Sequence, residues 1–143
     1  YPYKYDNWIM TPHIGEAAKL LNKKPLDIEA NRLRAAKELQ QKYGGIIVLK
    51  GPKTIIQTKT NSYICNHGNQ GMGTAGMGDC LAGTILSLIT LANKDDRVSS
   101  VLFATGIHSL AADVIKEEEG EVGLLASQVI IKINKLLNEI KVK

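Results

Sequence analysis

Aromatics are scarce, at 5% of the chain, and the basic residues are spread along it rather than interleaved with rings. That leaves no stacking stripe, so nucleic acid is not an expected partner. The net charge of +4 and the pI near 9.0 suit anionic nucleotides equally well. Only two cysteines occur, Cys65 and Cys80, which argues against a disulfide framework. The three histidines, His13, His67 and His108, have no partner four residues away and no cysteine pair nearby, so no metal site is expected of them. Neither G-x-x-x-x-G-K-[ST] nor G-x-S-x-G is present, which removes the P-loop and the hydrolase elbow. No signal peptide is visible and no apolar run reaches the roughly 18 residues of a membrane span. A cytoplasmic protein with no membrane partner is the expectation.

What the chain does have is glycine, concentrated in one place. Gly68-Asn69-Gln70-Gly71-Met72-Gly73-Thr74-Ala75-Gly76-Met77-Gly78-Asp79 leads into the apolar run Cys80 to Leu91. Glycine permits φ > 0 and lets a ligand approach bare N–H groups. The first-turn amides of the helix that follows, with its dipole, make an anion site. Asp79 at that mouth is placed to take a proton from a substrate hydroxyl. The reading is a phosphoryl-handling loop ending in a catalytic base. A plain turn with Asp79 as helix cap is the bland alternative. Gly71 to Gly76 also fits G-x-G-x-x-G, but the acids at a suitable distance, Asp95 and Asp96, follow a helix and no strand, so a dinucleotide fingerprint ranks second.

Spacing along the chain predicts an α/β domain, or part of one, without an internal boundary. Ile9-Met10 can end a strand, and Thr11-Pro12-His13 opens a short helix carrying Ala17, Leu20 and Leu21. Asp27 caps one longer helix through Tyr43, ended by Gly44-Gly45. Ile46 to Leu49 reads as a strand buried on both faces, and Thr54–Thr58 with Ser62–Cys65 as an antiparallel edge pair. Three helices follow, over Asp79–Ala92, Val98–Glu119 and Ala126–Ile140. The first should be buried, with Gly83 allowing close packing. The second should fray at its acidic end, and Ser127 is a candidate cap for the third. Lys50 sits at the carboxyl end of the buried strand, where open sheets bind ligands, with Gly51 exposing backbone beside it. His13 at its helix entry can contact a ligand or simply cap, and His67 can serve as a lid residue. His108 reads as structural. A helix N-terminus can activate Cys80, though a small core residue is the plainer role. Tyr1 to Trp8 reads as mid-protein sequence, the start of a piece of a longer chain.

Four segments carry a resemblance: Thr11-Pro12-His13-Ile14-Gly15-Glu16-Ala17, Lys50-Gly51-Pro52-Lys53-Thr54, Gly68 to Gly83, and Gly123-Leu124-Leu125-Ala126-Ser127. In order and spacing they resemble the NAD(P)H-hydrate dehydratases, over the C-terminal half of that family's domain. The resemblance implies a ribokinase-like three-layer α/β sandwich, with about three strands and five helices of it in residues 1–143. It implies repair of the S epimer of hydrated NADH or NADPH, with ADP or ATP as phosphoryl donor and Mg2+ alongside. Asp79 matches the catalytic aspartate, with Gly76 and Gly78 in the anion hole. Lys50, Gly51, Pro52, Lys53 and Thr54 match one nucleotide segment. Asn69, Gln70, Gly71, Met72, Gly73, Thr74, Ala75, Gly76, Met77 and Gly78 match the other. His13, Glu16 and Asp79 match substrate contacts. Ile14, Pro52-Lys53, Gly73, Ala75 and Met77 depart from the usual residues. The resemblance also implies a missing N-terminal half, supplied by another chain or by a homo-oligomer. A ribokinase-like kinase of a small alcohol such as a vitamin remains the alternative, as does a nucleotide-binding module without activity.

Overall fold

The computed structural model describes residues 3–92 and 96–141, so Asp95 and the end of the basic tail lie outside the described residues. The chain divides into two units, Tyr1–Asn66 and His67–Lys143, each with its own core.

In the first unit, β1 (Ile9–Met10) leads through Thr11 and Pro12 into α1 (Ile14–Leu21). A proline just before the helix and a side chain able to cap it fix that start. The single helix expected from Asp27 to Tyr43 is two: α2 (Pro25–Ala30) and α3 (Arg32–Tyr43). Asn31 breaks them apart at φ −150°, and its side chain accepts from the Arg34 N–H at 3.0 Å. Asp27 sits inside α2 and accepts from the Lys24 N–H at 3.2 Å. Asparagine competes with helical hydrogen bonding through this local bond, and here it ends one helix and caps the next.

α3 ends at Gly44, and β2 (Ile46–Leu49) follows with all four residues buried. β3 (Ile55–Gln57) and β4 (Ser62–Ile64) complete a sheet of order β1-β2-β3-β4. The β1–β2 pair is parallel and the other two pairs are antiparallel. β2's alternation then has a clear use. Ile47 and Leu49 join Ala17, Ala36 and Leu39 in the core of this unit, while Ile46 and Val48 on the opposite face are buried as well. Cys65, just past β4, is buried.

The second unit is helical. A 3-10 turn (Gln70–Gly73) precedes α4 (Met77–Leu91), α5 (Arg97–Glu119) and α6 (Ala126–Lys141). Its core gathers Met77 and Cys80 of α4, Ile107, Ala111, Ala112 and Ile115 of α5, and Val129 and Ile133 of α6. α4 is not buried all round: Leu86 is 65% and Leu91 83% exposed, and nothing lies within 4 Å of where a Gly83 Cβ would stand. α5 has the length and composition of a membrane span, yet more than half of its apolar stretch is buried. The description thus holds four strands and six α-helices, against about three and five expected. α5 stays helical through Glu119, with Lys116 reaching Glu121 and Lys132 reaching Glu118 across its acidic end. Ser127 lies inside α6. Gln128 makes the start, its Oε1 accepting from the Leu125 N–H at 2.8 Å.

Candidate active site

α4 begins two residues earlier than Asp79. Gly76 is the residue flanking its start, in the left-handed region at φ 83°, and Asp79 is the third helical residue rather than the cap. A side chain at Gly76 would be strained there. Of the six amides from Ala75 to Cys80, four are free among the described residues. Met77 N–H reaches Thr74 O at 3.3 Å and Cys80 N–H reaches Gly76 O at 2.9 Å. Among the described residues, the amides of Ala75, Gly76, Gly78 and Asp79 have no hydrogen-bond acceptor. Bare donors at the positive end of a helix are what an anion needs. The Asp79 side chain is exposed and carries neither a hydrogen bond nor an ion pair among the described residues. A carboxylate so placed is open to an incoming hydroxyl.

The glycine loop ahead of that turn is held from two sides. Asp113 of α5 accepts from Gly68 N–H at 2.8 Å and from Asn69 Nδ2 at 2.9 Å, with His67 Nδ1 3.6 Å away. Asn69 in turn accepts from Gly71 N–H at 3.1 Å, which sets up the 3-10 turn. Thr74 Oγ1 lies 2.9 Å from Gly71 O and 2.8 Å from Leu124 O, within reach of either. Gly71 is obligatory for a steric reason: a Cβ there would stand 2.4 Å from the Glu121 carbonyl oxygen. Gly73 is different, since a Cβ would meet nothing within 4 Å, so that departure from the usual residue costs no contact. Gln70 and Ala75 are exposed, and Met72 packs against the core of the unit. Cys80 belongs to that core too. Burial pushes its thiol up, with a Thr84 hydrogen bond opposing, and the activated-cysteine reading is overturned.

The first unit brings three of the expected residues together at the carboxyl ends of β1 and β2. His13 caps α1: its Nδ1 accepts from Glu16 N–H at 3.2 Å, and Glu16 Oε2 accepts from His13 N–H at 2.7 Å. Lys50 Nζ stands 3.8 Å from the same carboxylate, and His13 Nε2 stands 3.5 Å from its other oxygen. The His13 backbone bond holds the Glu16 carboxyl below its usual range, helped by the nearby Lys50 charge. Capping fixes the imidazole without hiding it, since its side chain stays 59% exposed.

The turn after Lys50 depends on a residue that sequence reasoning passed over. Arg32, at the start of α3, donates to Leu49 O at 3.3 Å and to Pro52 O, and burial holds its guanidinium below the usual range. It clamps Gly51, whose φ is 146°, while Lys53 takes φ 53° and the Thr54 hydroxyl donates to Gly51 O at 3.2 Å. Asp113 was equally unmarked. An acid inside the apolar run Leu110 to Ile115 was the available signal for it. Nothing local marked Arg32.

Residues 1–135 match the family model described as NAD(P)H-hydrate dehydratase. The chain is 41% identical over 138 residues to a bifunctional NAD(P)H-hydrate repair enzyme of Coxiella burnetii, covering 96% of this chain and 28% of that one. It is 39% identical over 136 residues to an ADP-dependent (S)-NAD(P)H-hydrate dehydratase of Neisseria meningitidis, covering 94% and 45%. Among solved structures it resembles the ADP/ATP-dependent NAD(P)H-hydrate dehydratase of Bacillus subtilis co-crystallised with ATP/Mg2+ and soaked with CoA. There the TM-score is 0.89 at 27% identity, over 97% of this chain and 51% of that one. A ribokinase-like superfamily protein from Enterococcus faecalis gives 0.81 at 26%, over 97% and 47%. The chain therefore spans about half or less of the relatives it matches. Its α/β architecture is ribokinase-like, and the chain belongs to the NAD(P)H-hydrate dehydratase family.

Proposed function

We propose that this chain takes part in nucleotide-dependent dehydration of hydrated NADH or NADPH. One observation carries the reading: at the mouth of α4, amides without an acceptor among the described residues stand beside an exposed Asp79 carboxylate that has no partner among them. Asp79 takes the proton of the ring hydroxyl as its oxygen attacks the terminal phosphorus of ADP or ATP. The bond to the departing AMP or ADP breaks, and the amides of Gly76 and Gly78 hold the moving phosphoryl group. The carbon–oxygen bond then breaks with phosphate taking its electrons. An adjacent ring proton is lost and the nicotinamide double bond re-forms. Hydroxide is a poor leaving group and phosphate a good one, which is what the nucleotide contributes.

Lys50 to Thr54 and Asn69 to Gly78 are the proposed nucleotide segments, and His13, Glu16 and Asp79 the proposed substrate contacts. Lys50 suits a phosphate, and an exposed imidazole fixed by capping suits a polar substrate group. Mg2+ would ride on the nucleotide's phosphate oxygens and offset their charge, as it usually does with few protein ligands. We place the protein in the cytoplasm, working with a homologous copy or a chain that completes the sheet.

The test supplies hydrated NADH with ADP or ATP and follows the return of reduced nicotinamide absorbance. Recovery supports the reading. Phosphorylation of a thiazole or pyridoxine alcohol without recovery would favour a kinase, and nucleotide binding without turnover an inactive module.

A further inference from the structure

We infer that Asp113 is the positioning residue that shapes the anion-binding loop, a role that rests on the reading above. Its two carboxylate oxygens are committed to two loop donors 45 and 44 residues away in sequence: Gly68 N–H on one and Asn69 Nδ2 on the other. Bonds to a charged acceptor are shorter and stronger than neutral ones. Asn69 passes the constraint on. Because its Nδ2 is held by Asp113, its Oδ1 is the atom left to accept from Gly71 N–H at 3.1 Å. Gly71 O then lies 2.9 Å from the Thr74 hydroxyl, two residues before Gly76 turns left-handed and α4 opens. The anchor itself is rigid, since Ala111 and Ala112 beside it are fully buried in α5. A line of hydrogen bonds thus runs from a packed helix to the amides that would receive phosphate. Asp113 touches none of the reacting atoms. It acts through the loop.

This chemistry makes a substitution diagnostic. In Asp113→Asn one oxygen becomes an NH2 group, so two donors face each other or one bond is lost. Asn69 cannot turn its amide round to compensate without breaking its bond to Gly71. The exchange Asn69→Asp with Asp113→Asn restores every partner: the bond between the two side chains reverses its polarity, while Gly68 N–H and Gly71 N–H still find acceptors.

Hydrogen–deuterium exchange at the Gly68, Gly71 and Met72 amides reads the loop, with α6 as the internal control. Asp113→Asn should speed exchange at the three by about tenfold or more while α6 is unchanged, and the double variant should return it toward wild type. That double variant is read by exchange alone, because Asn69 is itself a proposed nucleotide contact. In the dehydration assay Asp113→Asn should lower kcat by about tenfold or more with the KM for hydrated NADH little changed. Unchanged exchange in the single variant overturns the inference, and so does a double variant as mobile as the single one. A loosened loop with undiminished kcat overturns it too. Absence of turnover in the wild type would instead remove the functional reading, leaving the exchange measurements to decide whether Asp113 shapes the loop.

Discussion

Asp79 and His108 are both titratable residues of the helical unit, and their surroundings give them opposite uses. Asp79 is exposed at the first turn of α4 with no partner among the described residues, so its charge is available to a ligand. His108 is 3% exposed on α5, and burial pushes it down to about 4, with a hydrogen bond to the Met77 backbone working the other way. Its Nε2 has no hydrogen-bond partner among the described residues. The folded protein therefore refuses a proton that the unfolded chain accepts. Stability should be full above about pH 6.5, decline as pH falls toward 4, and lose roughly 3 kcal/mol across that interval. Urea unfolding at pH 7 and pH 4.5 checks this, and His108→Leu should flatten the difference. Sequence reading took His108 as structural and Asp79 as the site. For Asp113 the acid within the apolar run Leu110 to Ile115 is the one local hint, and Arg32 has none, because each works on residues far away in the chain.

Helix starts are the features that sequence handled least well, and two of them matter here. The break at Asn31 is invisible to periodicity, because apolar residues continue at helical spacing on both sides of it. The end of the glycine stretch and the apolar run after it place the start of α4 at Asp79. The structure places it at Met77, which puts Gly76 in the left-handed conformation and adds free amides ahead of the carboxylate. Legible from the start were β2, with its β-branched run, the antiparallel edge pair, and the capping option for His13. The Gly76 geometry yields a prediction. In Gly76→Ala the new Cβ would stand 3.7 Å from Ala126 Cβ, an ordinary contact, so the cost is backbone strain of about 1–2 kcal/mol. Because that strain falls on the phosphate site, kcat should drop by roughly a hundredfold while thermal unfolding shifts by only a few degrees. Equal losses in both would assign Gly76 to folding alone.

At the scale of the whole molecule, β1 stands at one edge of the first unit's sheet, with β2 its one neighbour among the described residues, and the second unit leaves Leu86, Leu91 and Phe103 exposed. A strand edge and exposed apolar side chains both favour association. Sedimentation should give a mass above that of the 15.6 kDa chain, and a stable monomer at micromolar concentration would count against this. The family is legible in four motifs, whereas association is a matter of surfaces that no motif encodes.

The account turns on Asp79 as the proton acceptor beside an amide-lined phosphate site. Its most direct measurement compares wild type and Asp79→Asn for single-turnover dehydration of hydrated NADH and for ADP binding by calorimetry. The amide variant keeps the shape but cannot take the proton, so the rate should fall by about a thousandfold or more with ADP affinity within a fewfold of wild type. A variant that still turns over at near wild-type rate would contradict the account.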